Sequence, residues 1–414
     1  MATVVLAGTL DTKGIEYAYV RDRLRERGVN VILIDVGVLG EPLVAPDIGR
    51  NVVAAAGGAE LSDLVAEADR GRAIEAMASG LGALVRQLHE GGELDALLGL
   101  GGGGGSVLIT AAMRELPIAV PKLLVSTVVG GTTRSYASVT GITVMHAIVD
   151  IAGINRISER VFTQAAAAAA AMAEASAAVL PALPDSPLLG ATMFGVTTPC
   201  VTAARTRLEA LGYEVLVFHA TGTGGKTLEQ LIRDGTITGV LDITTTELAD
   251  DMVGGVLSAG PDRLTAAGEL GIPQVVSLGA LDMVNFGPSE TVPARFKGRL
   301  LYKHNPAVTL MRTTPGECAE LGKRLALKIN QAHGPVTLFI PLRGVSSIAV
   351  SGQVFHDPEA DAALVNAIRE HIGDWVDIRE LDTDINDPGF AVAMADVFHE
   401  QYAAWAEQTE RTTA

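Results

Sequence analysis

Five successive glycines, Gly101, Gly102, Gly103, Gly104 and Gly105, followed by Ser106, carry the clearest chemical signal in this 414-residue chain. Without side chains, their N–H groups can approach a ligand closely, and a helix starting there adds the positive end of its dipole. The run separates two short apolar segments, 96–100 and 107–113, so it reads as a strand–turn–helix junction. That is the setting of a phosphate cradle, with Ser106 as an added hydroxyl donor. A flexible link would have a similar composition, but a link seldom joins a buried strand to an apolar helix.

Two further junctions have the same character. Gly8-Thr9-Leu10-Asp11-Thr12-Lys13 follows the apolar segment 3–7. There Lys13 stands where it would meet an anion, and Asp11 would orient the lysine or hold Mg²⁺ through water. An ordinary capped turn uses the same residue types. His219-Ala220-Thr221-Gly222-Thr223-Gly224-Gly225-Lys226-Thr227 nearly spells a P-loop, but Ala220 occupies the first glycine position. The expectation is therefore a less specific phosphate or carboxylate loop, with Thr223, Gly224, Gly225 and Lys226 as its contacts. Asp242, at the end of the next apolar run, would match the metal-holding aspartate of a full P-loop.

Acid–base and nucleophilic candidates follow. Asp242-Ile243-Thr244-Thr245-Thr246-Glu247 crowds polar groups past a buried run, and Thr244 to Glu247 has the spacing of a capping box. Cys200 follows Pro199 at an expected helix start, where a thiol pKa falls. The plain alternative is a small buried hydrophobe. His219 and His304 are possible acid–base groups, although a single histidine is more often structural. No tight Cys/His spacing indicates zinc, and no Gly-x-Ser-x-Gly elbow indicates a serine hydrolase.

Holding these groups requires a regular frame. Short β-branched or apolar runs at 3–7, 30–35, 96–100 and 122–126 alternate with helical stretches at 14–27 and 74–89. A second series runs through 189–194, 213–218, 239–243, 274–277 and 336–341, and a closing helix is expected at 388–409. Runs this apolar suit parallel sheets covered on both faces. The alanine run 165–171 reads as a close-packing helix, ended by three prolines at Pro181, Pro184 and Pro187. The expected fold is α/β, with two doubly wound, Rossmann-like, mostly parallel-sheet domains at 1–180 and 181–414 and a cleft between them.

Composition limits the partners. Thirty-one basic against 48 acidic side chains give a net charge of −17, which removes the basic surface that nucleic acid requires. No apolar run reaches the ~20 residues needed to span a bilayer. Two cysteines and an unremarkable start point to the reducing cytoplasm.

Taken together these segments resemble the Tm-one-like ATP-binding family, named for a plant protein conferring resistance to tomato mosaic virus. The matching residues are Gly8-Thr9-Leu10-Asp11-Thr12-Lys13, the glycine run through Ser106, and Phe218-His219-Ala220-Thr221-Gly222-Thr223-Gly224-Gly225. Asp242 to Glu247, Gly254 to Arg263, Ala280 to Gly287 and Tyr302-Lys303-His304-Asn305-Pro306 extend the match along the chain. The family commonly carries a Gly-Gly-Ser-Gly-Gly-Thr-like loop, whereas here five glycines precede Ser106. The resemblance implies ATP binding and self-association as a homodimer or higher homo-oligomer. The first domain is expected to hold the phosphates, and residues 222–226 a second anionic metabolite. Two alternatives stay open. One is a lyase or hydrolase of a small carbonyl or carboxylate compound, using Cys200, His219, Asp242, Glu247 or His304. The other is a non-catalytic ATP-sensing module.

Overall fold

The computed structural model describes residues 1–128, 141–178 and 186–413. The chain divides into two compact units, Met1–Ala182 and Leu183–Ala414. Residues 179–185, which include most of the expected proline-rich link, lie outside the described residues.

The first unit contains, in order, β1 (Thr3–Gly8), α1 (Leu10–Arg25), β2 (Asn30–Asp35), α2 (Arg50–Ala56), α3 (Leu61–Glu67) and α4 (Arg70–Glu90). It continues with β3 (Ala96–Gly101), α5 (Gly103–Met113), β4 (Lys122–Ser126), β5 (Ile142–His146) and α6 (Arg156–Ala177). The sheet order is β2-β1-β3-β4-β5, with every pair parallel. Strand alternation sends Val4 and Leu6 into one core with Tyr17 of α1 and Phe162 of α6. Val5 and Ala7 enter a second core with Met77 of α4 and Ile109 of α5. Both faces are therefore covered, and the sheet is doubly wound. The alanines serve this packing: Ala165, Ala166, Ala169, Ala170 and Ala173 are all buried on one stripe of α6. Between β1 and β3 the strand order reverses, and connections leaving those two strands diverge to opposite faces. That is where an open parallel sheet has its crevice.

The first helix departs from expectation. It starts at Leu10 rather than Gly14 and buries Leu10, Tyr17, Val20 and Leu24, leaving Ile15 59% exposed. The earlier start puts Asp11 inside the first turn, and the backbone leaves helical geometry at Lys13 (φ −129°, ψ 21°).

In the second unit β6 (Leu188–Met193), α7 (Thr198–Ala210), β7 (Glu214–His219), α8 (Thr223–Arg233) and β8 (Gly239–Thr244) come first. Next are α9 (Glu247–Val253), α10 (Ala266–Leu270), β9 (Gln274–Gly279), β10 (Met283–Phe286), β11 (Leu301–Asn305) and β12 (Val308–Arg312). The unit ends with α11 (Pro315–Ile329), β13 (Val336–Pro341), α12 (Pro358–His371), β14 (Asp377–Leu381) and α13 (Pro388–Thr413). The main sheet runs β7-β6-β8-β9-β13-β14, again all parallel, with its reversal between β6 and β8. A separate antiparallel sheet, β10-β12-β11, lies in segments for which no strand was expected. Its strands are short, and β11 (Leu-Tyr-Lys-His-Asn) is partly or fully exposed along its length, which leaves little periodic signal. Among the described residues no helix is long and apolar enough to cross a membrane.

Candidate functional site

The glycine run straddles an element boundary. Gly101 ends β3, Gly102 is the N-cap of α5 in extended geometry, and Gly103, Gly104 and Gly105 form the first turn of that 11-residue helix. No side chain caps the helix, so its first-turn N–H groups face outward at the carboxyl edge of the sheet. The glycines divide into two classes. At Gly99 an added Cβ would lie 2.6 Å from Ile109 Cγ2, and at Gly101 2.8 Å from the Gly105 backbone, so packing requires both. Among the described residues nothing lies within 4 Å at Gly103; at Gly102 the nearest atom is Thr127 Oγ1 at 3.6 Å, and at Gly105 the Leu100 carbonyl at 3.9 Å. The fold itself does not call for glycine at those three positions. Gly104 faces Arg70, whose Nη2 would be 3.0 Å from an added Cβ. Arg70 is exposed, at the start of α4, and has no hydrogen-bond or ion-pair partner among the described residues.

Ser106 departs from expectation. It is buried, and its hydroxyl pairs with Ser126 Oγ at 2.8 Å and donates to the Gly101 carbonyl at 3.3 Å. It fastens α5 to β4 and does not line the cradle.

The neighbouring β1 turn is tied inward. Gly8 makes room for Tyr17: an added Cβ would stand 1.9 Å from the phenol. The Tyr17 hydroxyl accepts the Leu100 N–H at 2.8 Å and can donate to the Leu100 or Ala7 carbonyl, bridging β1 and β3 below the crevice. Burial holds that phenol far above its ordinary pKa. Lys13 donates from Nζ to the Ile151 carbonyl at 2.6 Å, which anchors the segment between β5 and α6. Asp11 Oδ2 accepts the N–H groups of Leu39 and Gly40 at 2.8 and 3.3 Å. Thr9 and Thr12 share a hydroxyl hydrogen bond of 2.9 Å at the exposed surface. Sequence reasoning passed over Asp35, the last residue of β2. Its Oδ1 accepts the N–H groups of Leu10 at 3.0 Å and Gly37 at 2.9 Å.

The near-P-loop of the second unit is already filled. Glu247 Oε1 accepts N–H bonds from Gly222 (2.6 Å) and Gly225 (3.1 Å), so the protein's own carboxylate occupies the nest at the start of α8. Each glycine there has an internal reason: Gly222 has φ +84°, Gly224 would strike the His219 carbonyl at 1.9 Å, and Gly225 would strike Glu247 at 2.2 Å. Behind Glu247 stands Arg263, fully enclosed, donating from Nε to Glu247 at 2.6 Å and bidentately to Asp242 at 2.5 and 2.6 Å. Glu229 lies 3.5 Å from the same guanidinium. Asp242 is further held by Thr192 Oγ1 at 2.8 Å, and Thr197 and Thr244 pair at 2.7 Å. The β6/β8 crevice is thus packed with a satisfied polar network, not left open. No capping box forms from Thr244 to Glu247; Thr246 is the N-cap of α9 and makes no side-chain bond there. The missed signal was Gly260-Pro261-Asp262-Arg263, a turn that delivers a buried cation.

The remaining candidates do not converge on one another. Cys200 is fully buried, and desolvation pushes its thiol up to about 12, the reverse of the expected helix-start effect. Its backbone N–H donates to Asn386 Oδ1 at 3.3 Å. His219 is exposed beside Phe194, ring centroids 5.4 Å apart, and His304 is exposed on β11. Thr223 and Lys226 lie exposed on α8. Among the described residues no group of three or more His, Cys, Asp or Glu side chains is arranged to hold a metal.

Comparison with known proteins finds relatives along nearly the whole chain. A protein of Clostridium tetani described as a UPF0261 protein is 50% identical over 393 residues, covering 95% of this chain and 97% of its own. One of Rhizobium meliloti is 46% identical, with 95% and 97% covered. The ToMV resistance protein Tm-1(GCR237) of Solanum lycopersicum is 43% identical over 342 residues, 80% of this chain but 45% of the tomato protein. Among solved structures, UDP-N-acetylglucosamine 2-epimerase of Rickettsia bellii aligns at 11% identity and TM-score 0.23, covering 66% of this chain and 78% of that one. The N-terminal domain model of the uncharacterised protein family UPF0261 matches residues 2–178 and its C-terminal model residues 186–402, and the chain belongs to that family.

Proposed function

We propose that the first unit binds the phosphates of a nucleotide, ATP by the resemblance noted above, at the start of α5. The single observation that carries this reading is the pair of glycine classes. Gly99 and Gly101 answer to packing, whereas a side chain would meet open space at Gly103 among the described residues, and only ordinary contact at Gly102 and Gly105, beside uncapped N–H groups. Arg70 supplies an unpaired guanidinium beside Gly104, suited to phosphate oxygens. The site stands at the strand-order reversal, where ligands of open parallel sheets collect. The second unit's loop is not assigned a second anion, because Glu247 already takes its N–H groups.

ATP is bound there; its consumption is not proposed. Self-association into a homo-oligomer belongs to the same reading, as does a reducing compartment for two buried, unpaired cysteines. Calorimetry of ATP with wild type, Gly103→Val and Arg70→Ala tests the site. Loss of binding in Gly103→Val and at least tenfold weakening in Arg70→Ala are expected. Unchanged affinity in both refutes the reading. Light scattering with and without ATP tests the assembly.

A further inference from the structure

At the carboxyl ends of β1 and β2, two carboxylates close on one glycine. Asp35 is wholly buried; its Oδ1 is satisfied by the Leu10 and Gly37 N–H groups, but its Oδ2 has no partner among the described residues. Asp11 uses Oδ2 for the Leu39 and Gly40 N–H groups, and its Oδ1 is likewise buried and unpartnered. An added Cβ at Gly37 would stand 2.6 Å from that Asp11 oxygen, while the Gly37 N–H is 2.9 Å from Asp35. A side chain at Gly37 would therefore collide with the Asp11 carboxylate beside Asp35. Arg50 is a cation that bears on Asp35, and its guanidinium is bound to Glu41 at 2.7 Å.

An ionised carboxylate oxygen buried without a partner is costly, and a second carboxylate nearby raises the cost. Among the described residues no donor reaches these two oxygens, and the N–H groups of Leu10, Gly37, Leu39 and Gly40 are already spent on the other oxygen of each carboxylate. A hard divalent cation removes the cost: Mg²⁺ and Mn²⁺ are commonly held by one or two carboxylates, with water and phosphate completing the shell. We propose that Asp11 and Asp35 hold a divalent cation of the Mg²⁺ or Mn²⁺ class through their unpartnered oxygens, beside Gly37. The ion stands at the carboxyl edge of the same sheet that carries the α5 cradle; its role toward phosphate rests on the nucleotide reading, and its binding does not.

The test uses the full chain, free of nucleotide, titrated with Mn²⁺ and followed by electron paramagnetic resonance, with Mg²⁺ as competitor. One Mn²⁺ per chain is expected, weakened at least tenfold in Asp35→Asn, in Asp11→Asn and in Gly37→Ala. Circular dichroism identifies any variant that fails to fold, and Gly37→Ala, which keeps both carboxylates, carries the test in that event. No Mn²⁺ uptake by wild type at millimolar metal, or equal uptake by the folded variants, overturns the proposal. ATP binding measured separately in EDTA reports the glycine cradle alone, so failure of one reading is distinguishable from failure of the other.

Discussion

Arg263 and Glu247 form an ion pair from which water is excluded: Nε meets Oε2 at 2.6 Å and neither side chain has any exposed area. The pair explains why the second unit's glycine loop is rigid and full. The guanidinium fixes Glu247, and Glu247 fixes the Gly222 and Gly225 N–H groups. Removing the cation would leave Asp242, Glu247 and Glu229 buried together. Arg263→Met is expected to cost about 3–5 kcal/mol, the range for a buried pair deprived of one partner. Arg263→Lys should recover little, because an ammonium cannot serve Asp242 bidentately while reaching Glu247. Urea denaturation of the two variants measures both, and a loss under about 1 kcal/mol in Arg263→Met would show that the network is dispensable.

The glycine run offers a separation of stability from binding. Gly101→Ala inserts a methyl group against the Gly105 backbone at 2.8 Å and is expected to destabilise the first unit. Gly103→Ala meets open space within a helix, where alanine is favoured by about 1 kcal/mol. Thermal melting should therefore move down in the first variant and up or not at all in the second. If both variants melt lower, Gly103 is held by packing too, and its openness loses its functional meaning.

Much of this arrangement was legible in the sequence. The strands 122–126 and 336–341 appear with the expected bounds, because continuous apolar runs between turn residues admit few other readings. The placement of the glycine run at a β3–α5 junction was legible for the same reason. What was not legible is partnership across distance. Nothing local to residues 219–227 reveals that Glu247 would fill their nest, nor that Arg263 would bury itself among Asp242, Glu247 and Glu229. Ser106 and Lys13 read as ligand contacts because hydroxyl and ammonium groups at a sheet edge look alike, whether they face solvent or another loop. The antiparallel strands β10 to β12 escaped because four or five residues with mixed polarity carry too little periodicity.

Two enclosed carboxyls make stability depend on pH in an unusual direction. Burial raises Asp250 to about 7 and Asp282 to about 6, in spite of hydrogen bonds from Asn285 and Ser346. Between the unfolded carboxyl range near 4 and these values, the folded chain keeps protons that the unfolded chain has released. Stability contributed by the protonated forms is therefore present at low pH and is lost as pH rises to about 7. Asp250→Asn should flatten part of that fall, while Asn still offers an oxygen to the Asn285 amide. Denaturation curves at intervals from pH 4.5 to 7.5 would show it; an unchanged slope in the variant would mean that Asp250 is ionised throughout.

The thiol alternative makes a sharp prediction of its own. A nucleophilic cysteine needs both access and a thiolate, and Cys200 has neither: it is packed with Leu189, Val201 and Phe390, and its thiol is pushed up to about 12. Iodoacetamide at pH 8 is therefore expected to leave Cys200 unlabelled in the folded protein and to label it promptly in urea, as mass spectrometry of the peptide would record. Cys318 should behave alike, since it is buried against Thr313 at 3.2 Å and its thiol is also raised. Rapid native labelling of Cys200, with a rate that levels off below pH 7, would instead restore it as a catalytic candidate. It would also mean that the start of α7 opens in solution in a way its packed neighbours do not suggest.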